Sequence, residues 1–441
     1  MNNHRLLAGG LLTAVFTLGG ALCGYAQTSK VMSLEEIFTT AETNSTRIRK
    51  ALSAENVAAK DINVARSQRL PEIDVNLSVS YIGDGFITDR NYSNYQKAPI
   101  PHLGTGLGIN ISQPVYAGGA ITTGIELAEL KSTASRLTTE LNRDGIRLQL
   151  TGYYLDLYKY SNLRSVVESN IAQAEKVLAD MQVRFEQGTA LQNDITRYEL
   201  LVSNLKLELI KINNVLDILN RNLVVTAGLP ADIRVEPDSS ILDRSLARHD
   251  KAWWQAEAAD NSASLALARN GLEMSRKSEN LAKADRRPKI GLQAGWTMDG
   301  PILVEVPPLN YNLSYWWVGV GVSFNLSSLY KSNKKLARSR AATVEAEDNL
   351  ALARETLDLD VNTDYIHYLE SYEELRTREK SLELAERNYN IVFTRYSADM
   401  ALITDMLDAA NSKLDAEQQL VNARINIIYY YYKLLFTSGT I

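Results

Sequence analysis

Two long stretches of this 441-residue sequence lack the residues that break helices. Proline is absent from residues 115–229 and from residues 309–441, and the 67 residues 330–396 contain no glycine either. These stretches are rich in Ala, Leu, Glu, Arg and Lys, which favour helices. At about 1.5 Å per residue, each predicts a helix roughly 100 Å long.

Apolar residues recur every seven positions along both stretches. The first stretch carries Ile146, Tyr153, Tyr160, Val167, Ala174 and Met181, with a second row at Leu150, Leu157, Ile171, Leu178 and Phe185; the other stretch carries Val361, Tyr368, Leu375, Leu382, Tyr389 and Tyr396. Sustained heptads predict coiled-coil-like packing against a neighbouring helix.

A short motif occurs twice, 211 positions apart: "RFEQGTALQNDIT" at 184–196 and "RYSADMALITDML" at 395–407. Each copy follows a long predicted helix and precedes one of about 35 residues. We therefore predict two helical hairpins, with a first tip at 186–192 and a second tip at 397–403. Further helices should precede Pro71 and Pro288. Together these elements predict a tandem repeat, with residues 27–228 as the first repeat and residues 229–441 as the second.

Four segments switch to a period of two, at about 72–83, 103–113, 289–299 and 316–326. Each has about the length of a strand that crosses a bilayer at a tilt, apolar on one side and polar on the other. Trp296, Trp316 and Trp317 would then anchor the membrane interface. The alternative is a half-buried sheet in a soluble protein. Four strands cannot close a barrel, and an open edge is not tolerated in lipid, so the membrane interpretation requires several chains.

The N-terminus has the pattern of a secretory signal. His4 and Arg5 precede an apolar run that ends in "GYA", so we expect residues 1–26 to be removed. Cys23, the single cysteine, would leave with them, and a lipid anchor on it is the alternative. After Ala26 no run of 18 apolar residues predicts a transmembrane helix.

Composition argues against several function classes. The formal charge is −5, which does not suggest a nucleic-acid partner. The four histidines are scattered, and no HxxxH or CxxC spacing exists for a metal. We expect no enzyme activity and no cofactor. The run Tyr429–Tyr432 is interpreted as helix packing rather than a binding site.

The order of these elements, with "RSQRLPEIDVNLSVSY", "ISQPVYAGGAITTGI" and "RYSADMALITDMLDAANSKLDAEQQLVNAR", resembles the TolC-like outer-membrane efflux family. The resemblance implies a mainly α-helical protein with a transmembrane β portion. Its homotrimer would form a twelve-stranded β-barrel in outer-membrane lipid, continued by a periplasmic α-barrel. Partners would be a periplasmic adaptor and an inner-membrane transporter of the resistance-nodulation-division type.

The resemblance also assigns roles to the tips. Asp405 and Asp408 match the paired aspartates that ring the family's constriction; helix-dipole complementation is the alternative, and it fits Asp405 better because Asp194 is its repeat equivalent. Tyr396 and Asp194 match a hydrogen-bonded pair that holds the tip shut, although the family's reinforcing arginine is replaced by Ala401. Alternatively, Tyr396 only ends its heptad row.

Small and apolar residues at the tips predict the adaptor-docking surface: Gly188, Thr189, Ala190, Leu191, Ala401 and Leu402. A plain turn is the alternative for Gly188. The predicted function is an outer-membrane channel-tunnel for drug or small-molecule efflux. A type I protein-secretion outlet and a periplasmic coiled-coil scaffold without a pore remain as alternatives.

Overall fold

A computed structural model describes residues 28–238, 240–241, 246–305, 308–398 and 400–441. The predicted signal sequence and Cys23 lie outside the described residues. Within them, the two halves of the chain repeat one order of elements: two short helices, two long strands, a very long helix and a helix of half that length.

The long helices form where breakers are absent. In the first half the helices are α1 (Leu34–Asn44), α2 (Thr46–Ser67), α3 (Ala120–Glu186) and α4 (Gln192–Ala227). In the second they are α5 (Lys251–Asn261), α6 (Ala263–Ala284), α7 (Ser328–Ser397) and α8 (Ile403–Ser438). Both helical hairpins therefore exist where the repeated motif predicts them. No helix in the described ranges is both long and apolar enough to cross a membrane.

The heptad rows form the helical core. Val167, Leu150, Met181 and Val361 are each at most 1% exposed. One continuous cluster joins α3, α4 and α8 from the level of Ile146 down to the tips. The first and second hairpins contact each other chiefly through α3 and α8. Coiled-coil-like packing of the long helices is therefore observed.

A four-stranded antiparallel sheet carries the remaining long segments, in the order β2 (Glu72–Tyr81), β5 (Leu103–Ala117), β7 (Lys289–Gly300) and β8 (Leu313–Ser323). The last strand begins and ends three residues earlier than the predicted 316–326. β5 continues beyond the predicted 113, with a register shift between Pro114 and Tyr116. Among the described residues, β2 and β8 each have one edge without a partner strand.

The register aligns the apolar residues of all four strands on one face. Val75 pairs with Ile109, Ile109 with Trp296, and Trp296 with Trp316. Trp317 lies on the opposite face, because neighbouring strand residues alternate. A Cβ atom at its partner Gly295 would lie 2.6 Å from the indole Nε1 of Trp317. The three tryptophans therefore do not form one group: Trp296 and Trp316 share the apolar face, and Trp317 covers a glycine on the polar face.

Two small sheets were not predicted from the sequence. β1 (Thr28–Met32) pairs in parallel with β6 (Ile233–Pro237), which lies between the repeats. The fully buried Tyr154 of α3 ties this pair to the core: its hydroxyl donates to Met32 O at 3.0 Å and accepts from Asp238 N at 2.8 Å. The second is a short hairpin, β3 (Gly85–Ile87) with β4 (Gln96–Ala98), in the loop between β2 and β5.

Candidate functional site

The first tip is closed by a left-handed glycine. Gly188 has φ +77°, and its N–H donates to Phe185 O at 2.9 Å. The N–H of Thr189 then donates to Arg184 O at 2.9 Å, and its side-chain hydroxyl donates to the same oxygen at 3.0 Å. This pattern satisfies carbonyls that the end of α3 would leave unpaired.

The second tip closes in the same way without a glycine. The N–H of Met400 donates to Arg395 O at 2.8 Å, which is the repeat equivalent of the bond from Thr189 to Arg184. Here the arginine side chain turns back on its own tip, since Arg395 Nη2 donates to Met400 O at 3.4 Å.

Arg184, by contrast, joins the two hairpins. Its Nη2 donates to Ser397 O at 2.5 Å, so the end of α3 holds the end of α7. Sequence reasoning missed this role. The only signal was the match of Arg184 to Arg395 in the repeated motif, and that match does not distinguish their partners.

The predicted hydrogen bond between Tyr396 and Asp194 is not formed in the described part of the chain. The ring of Tyr396 instead packs against the helical core, which also contains the buried residues Tyr198 and Tyr389. Burial raises the pKa of the Tyr198 phenol above its ordinary value. Tyr396 thus packs at the tip end of the apolar seam, and its role in the gate stays a prediction.

The three aspartates of the predicted gate differ in their surroundings. The Oδ2 of Asp405 accepts from Leu402 N at 3.2 Å, so this side chain caps the start of α8. Asp408 is exposed one turn further along the helix, and no hydrogen bond or ion pair to it occurs among the described residues. Asp194 is half-buried at the start of α4. Asp405 and Asp408 are three positions apart and share a helix face.

The predicted docking residues are exposed to different degrees. Leu191 is 69% exposed and Leu402 is 70% exposed, which places an apolar side chain at the end of each hairpin. Gly188 and Thr189 are exposed, whereas Ala190 and Ala401 are half-buried. A Cβ atom at Gly188 would meet nothing within 4 Å, so this surface has room for a partner's side chains.

Polar side chains connect the two hairpins further from the tips. Asn170 Nδ2 donates to Glu417 Oε2 at 2.8 Å, and Gln418 Nε2 donates to Glu208 Oε1 at 2.7 Å. Lys413 lies about one helical turn nearer the tips: its Nζ is 3.3 Å from Gln173 Oε1 and 5.1 Å from the ring centroid of Tyr389. The hairpins are thus held together by side chains along their length as well as by Arg184.

Comparison with known proteins shows which family the chain belongs to. The family described as outer membrane efflux protein matches residues 38–228 and 254–430, which is most of the chain. The chain belongs to this family.

Curated relatives agree with this assignment. The outer membrane protein TolC of Salmonella enteritidis is 21% identical over 440 residues, covering 96% of this chain and 85% of TolC. TolC of Escherichia coli is also 21% identical, over 447 residues.

Solved structures show the same fold. The outer membrane protein VceC of Vibrio cholerae gives a TM-score of 0.76 at 16% identity, over 92% of this chain and 96% of VceC. The CmeC outer membrane channel of Campylobacter jejuni gives 0.75 at 13% identity, over 92% and 85% of the two chains.

Family membership confirms the predicted function and location. The protein is an outer-membrane efflux channel of the tripartite kind, and it extends into the periplasm. Its role is therefore transport.

Proposed function

We propose that three copies of this chain form one continuous conduit, with a twelve-stranded barrel in the outer membrane above a periplasmic tunnel of helices. The observation that supports this most directly is the sheet. Its four strands present one apolar face that includes Val75, Ile109, Trp296 and Trp316, and β2 and β8 have open edges. In lipid, each open edge must find a strand, and β8 of one protomer can pair with β2 of the next.

The exposure of the edge strands supports this arrangement. Val318, Val320 and Val322 of β8 are 68–70% exposed, and all ten residues of β2 are exposed. Such a large apolar surface on a single chain is typical of a lipid or protein interface. Membership of the outer membrane efflux family, with TolC among the relatives, supports a homotrimer that works with an adaptor and an inner-membrane pump.

We assign the periplasmic gate to the two tips. Asp408, with Asp405 beside it, would point carboxylates from three protomers toward one axis and favour cations there. The second tip has Ala401 where the family has a reinforcing arginine. In this chain Arg184, through its bond to Ser397 O, holds the two hairpins together instead. Asp194 and Tyr396 remain part of the proposed gate through their positions, without a bond between them.

The exposed Leu191 and Leu402, with Gly188, Thr189, Ala190 and Ala401, form the proposed docking surface for a periplasmic adaptor. We favour small-molecule efflux driven by a resistance-nodulation-division pump, because the family is described as outer membrane efflux protein and Asp405 and Asp408 make the second tip acidic. A protein-secretion outlet is the second candidate.

The proposal is tested on detergent-purified protein. We expect a trimer that inserts into planar bilayers and conducts ions, and a monodisperse monomer that remains soluble without detergent would contradict the proposal. Docking is tested separately with Ala190→Lys and Ala401→Lys. These changes should abolish export of a drug substrate from cells while trimers and bilayer currents persist, and unchanged export would place docking elsewhere.

A further inference from the structure

A basic cavity lies where the strands of the second repeat meet its helices. It has a volume of about 570 Å³ and is lined by the end of β8, the start of α7 and the link between α6 and β7. Four of its lining side chains are cationic, namely Arg287, Lys289, Lys331 and Lys335, against the single acid Asp285. This concentration of positive charge contrasts with the net charge of −5 of the whole sequence.

Two of the four cations are left to act on a ligand. The Nζ of Lys335 lies 2.5 Å from Asp285 Oδ2, so these two charges compensate each other. Arg287 Nη1 donates to Gly118 O at 3.1 Å, so part of its guanidinium is occupied by the backbone. Lys289 and Lys331 form no ion pair with any residue in the described ranges, and both are exposed.

Strand register places Lys289 on the polar face of the sheet. It pairs with Ser323, and the next pairs on that face are Gly291 with Gly321 and Gln293 with Gly319. Ile290 and Val322 pair on the opposite, apolar face. In the proposed barrel the apolar face meets lipid, and Lys289 therefore faces the water-filled interior.

The first repeat shows that the fold does not require these charges. Pro71 corresponds to Pro288, so Leu70 and Glu72 stand where the second repeat has Arg287 and Lys289. The cavity at the matching end of β2 is lined by Glu72, and its one basic lining residue is Lys289 of the second repeat. The same turn from helix to strand thus forms with an acid in one repeat and a lysine in the other.

We infer that this cavity is a binding site for multivalent anions on the inner surface of the channel, where it favours exported molecules that carry phosphate or clustered carboxylate groups. The inference rests on the proposed trimeric channel, in which three such cavities would encircle one lumen. Rings of Lys and Arg select anions in other pores. The acidic tips lie at the far end of the long helices, so the two ends of the conduit would carry opposite charge.

Inorganic pyrophosphate is a suitable probe in planar bilayers. Added to one side of the membrane and then the other, it should reduce the wild-type current more strongly from the side nearer the strands. In Lys289→Gln/Lys331→Gln the half-blocking concentration should rise about tenfold or more, because each lysine near an anion in water contributes roughly a fivefold effect. Orthophosphate, with less charge, should block more weakly.

Two matched variants sharpen this test. Lys60→Gln/Lys334→Gln removes the same charge from exposed lysines that do not line the cavity. Pyrophosphate should block this variant as strongly as it blocks the wild type. Glu72→Lys places a lysine at the equivalent position of the first repeat and should lower the half-blocking concentration.

Two results would overturn the anion site. Pyrophosphate could block the wild-type channel only weakly from both sides, or it could block Lys289→Gln/Lys331→Gln as strongly as the wild type. Either result would leave the channel itself intact, because conduction is measured in the same recordings. A purified protein that forms no conducting trimer would instead contradict the proposed function.

Discussion

A Cβ atom built on Gly439 would lie 2.5 Å from the carbonyl oxygen of Asn261, closer than any side chain can approach. The first repeat contains the same contact, since a Cβ atom on Gly228 would lie 2.5 Å from Asn44 O. Each glycine is left-handed, with φ +73° and +72°, and ends the second helix of a hairpin against the junction of two short helices. Both repeats therefore fix the base of their hairpin through one backbone contact.

We predict that Gly439→Ala and Gly228→Ala destabilise the protein by about 2–4 kcal/mol each, combining the cost of a left-handed alanine with a backbone clash. Gly188→Ala is the matched control, because Gly188 has φ +77° but an open surrounding. It should cost only about 1 kcal/mol. Urea unfolding of the three variants in detergent measures the difference, and equal losses would show that the contact with Asn44 or Asn261 relaxes easily.

Arg184→Ala should open the channel at rest. The substitution removes the bond to Ser397 O, which joins α3 to α7 at the tips. We expect a single-channel conductance clearly above that of the wild type. Arg395→Ala is the control at the equivalent position, since Arg395 contacts only its own tip through Met400 O among the described partners. Equal conductance in all three proteins would show that packing alone keeps the tips together.

We predict that Asp405 contributes to stability and that Asp408 contributes to the ion selectivity of the channel. Asp405→Ala removes the cap on Leu402 N and should cost about 1 kcal/mol of stability. Asp408→Ala should leave stability within about 0.5 kcal/mol of the wild type, because the side chain is exposed. It should nevertheless reduce cation preference in bilayers, measured as a shift in reversal potential. If Asp405→Ala alone shifted the reversal potential, the selective role would belong to the capping residue.

Tyr154 should make the protein sensitive to alkali. Burial raises the pKa of its phenol to about 12, whereas an unfolded tyrosine titrates near 10. The folded protein therefore retains this proton after the unfolded chain has lost it, so the contribution is complete below pH 10 and declines as the pH rises toward 12. Tyr154→Phe also loses two hydrogen bonds and should cost about 1–3 kcal/mol at neutral pH.

Stability of the wild type and Tyr154→Phe, measured at several values between pH 8 and 12, tests this prediction. The gap between the two proteins should narrow as the pH rises, since only the wild type carries the titrating group at this position. A constant gap would mean that the hydroxyl contributes only through its hydrogen bonds.

Sequence reasoning worked where a pattern persists over many residues. The lack of proline and glycine in residues 330–396 predicted α7, and its heptad row included three of its buried residues, Val361, Tyr368 and Tyr389. The alternation of β7 and β8 likewise predicted a shared apolar face. The prediction grouped Trp317 with Trp316 because both are tryptophans. It did not take into account that neighbouring residues of a strand lie on opposite faces.

Contacts between distant short segments left no such pattern. β1 and β6 are five residues each and lie some 200 positions apart, too short for a period to identify them. The bond from Arg184 to Ser397 O uses a backbone acceptor, which every residue possesses, so no residue type at position 397 could reveal it. The predicted pair of Tyr396 and Asp194 rested on residue types alone, and the ring of Tyr396 packs against the helical core, a contact that residue types do not specify.

The two open edges of the sheet also have a genetic consequence. In the proposed trimer, β2 and β8 of one chain pair with two different neighbours, so a defect on either edge affects the whole ring. A proline at Val75, for example, would remove a donor from β2 and disturb its pairing without preventing the helices from folding. In a cell that makes normal and altered chains equally, random assembly would leave about one trimer in eight free of the altered chain. Such alleles should be dominant, whereas alleles that produce no chain should be recessive.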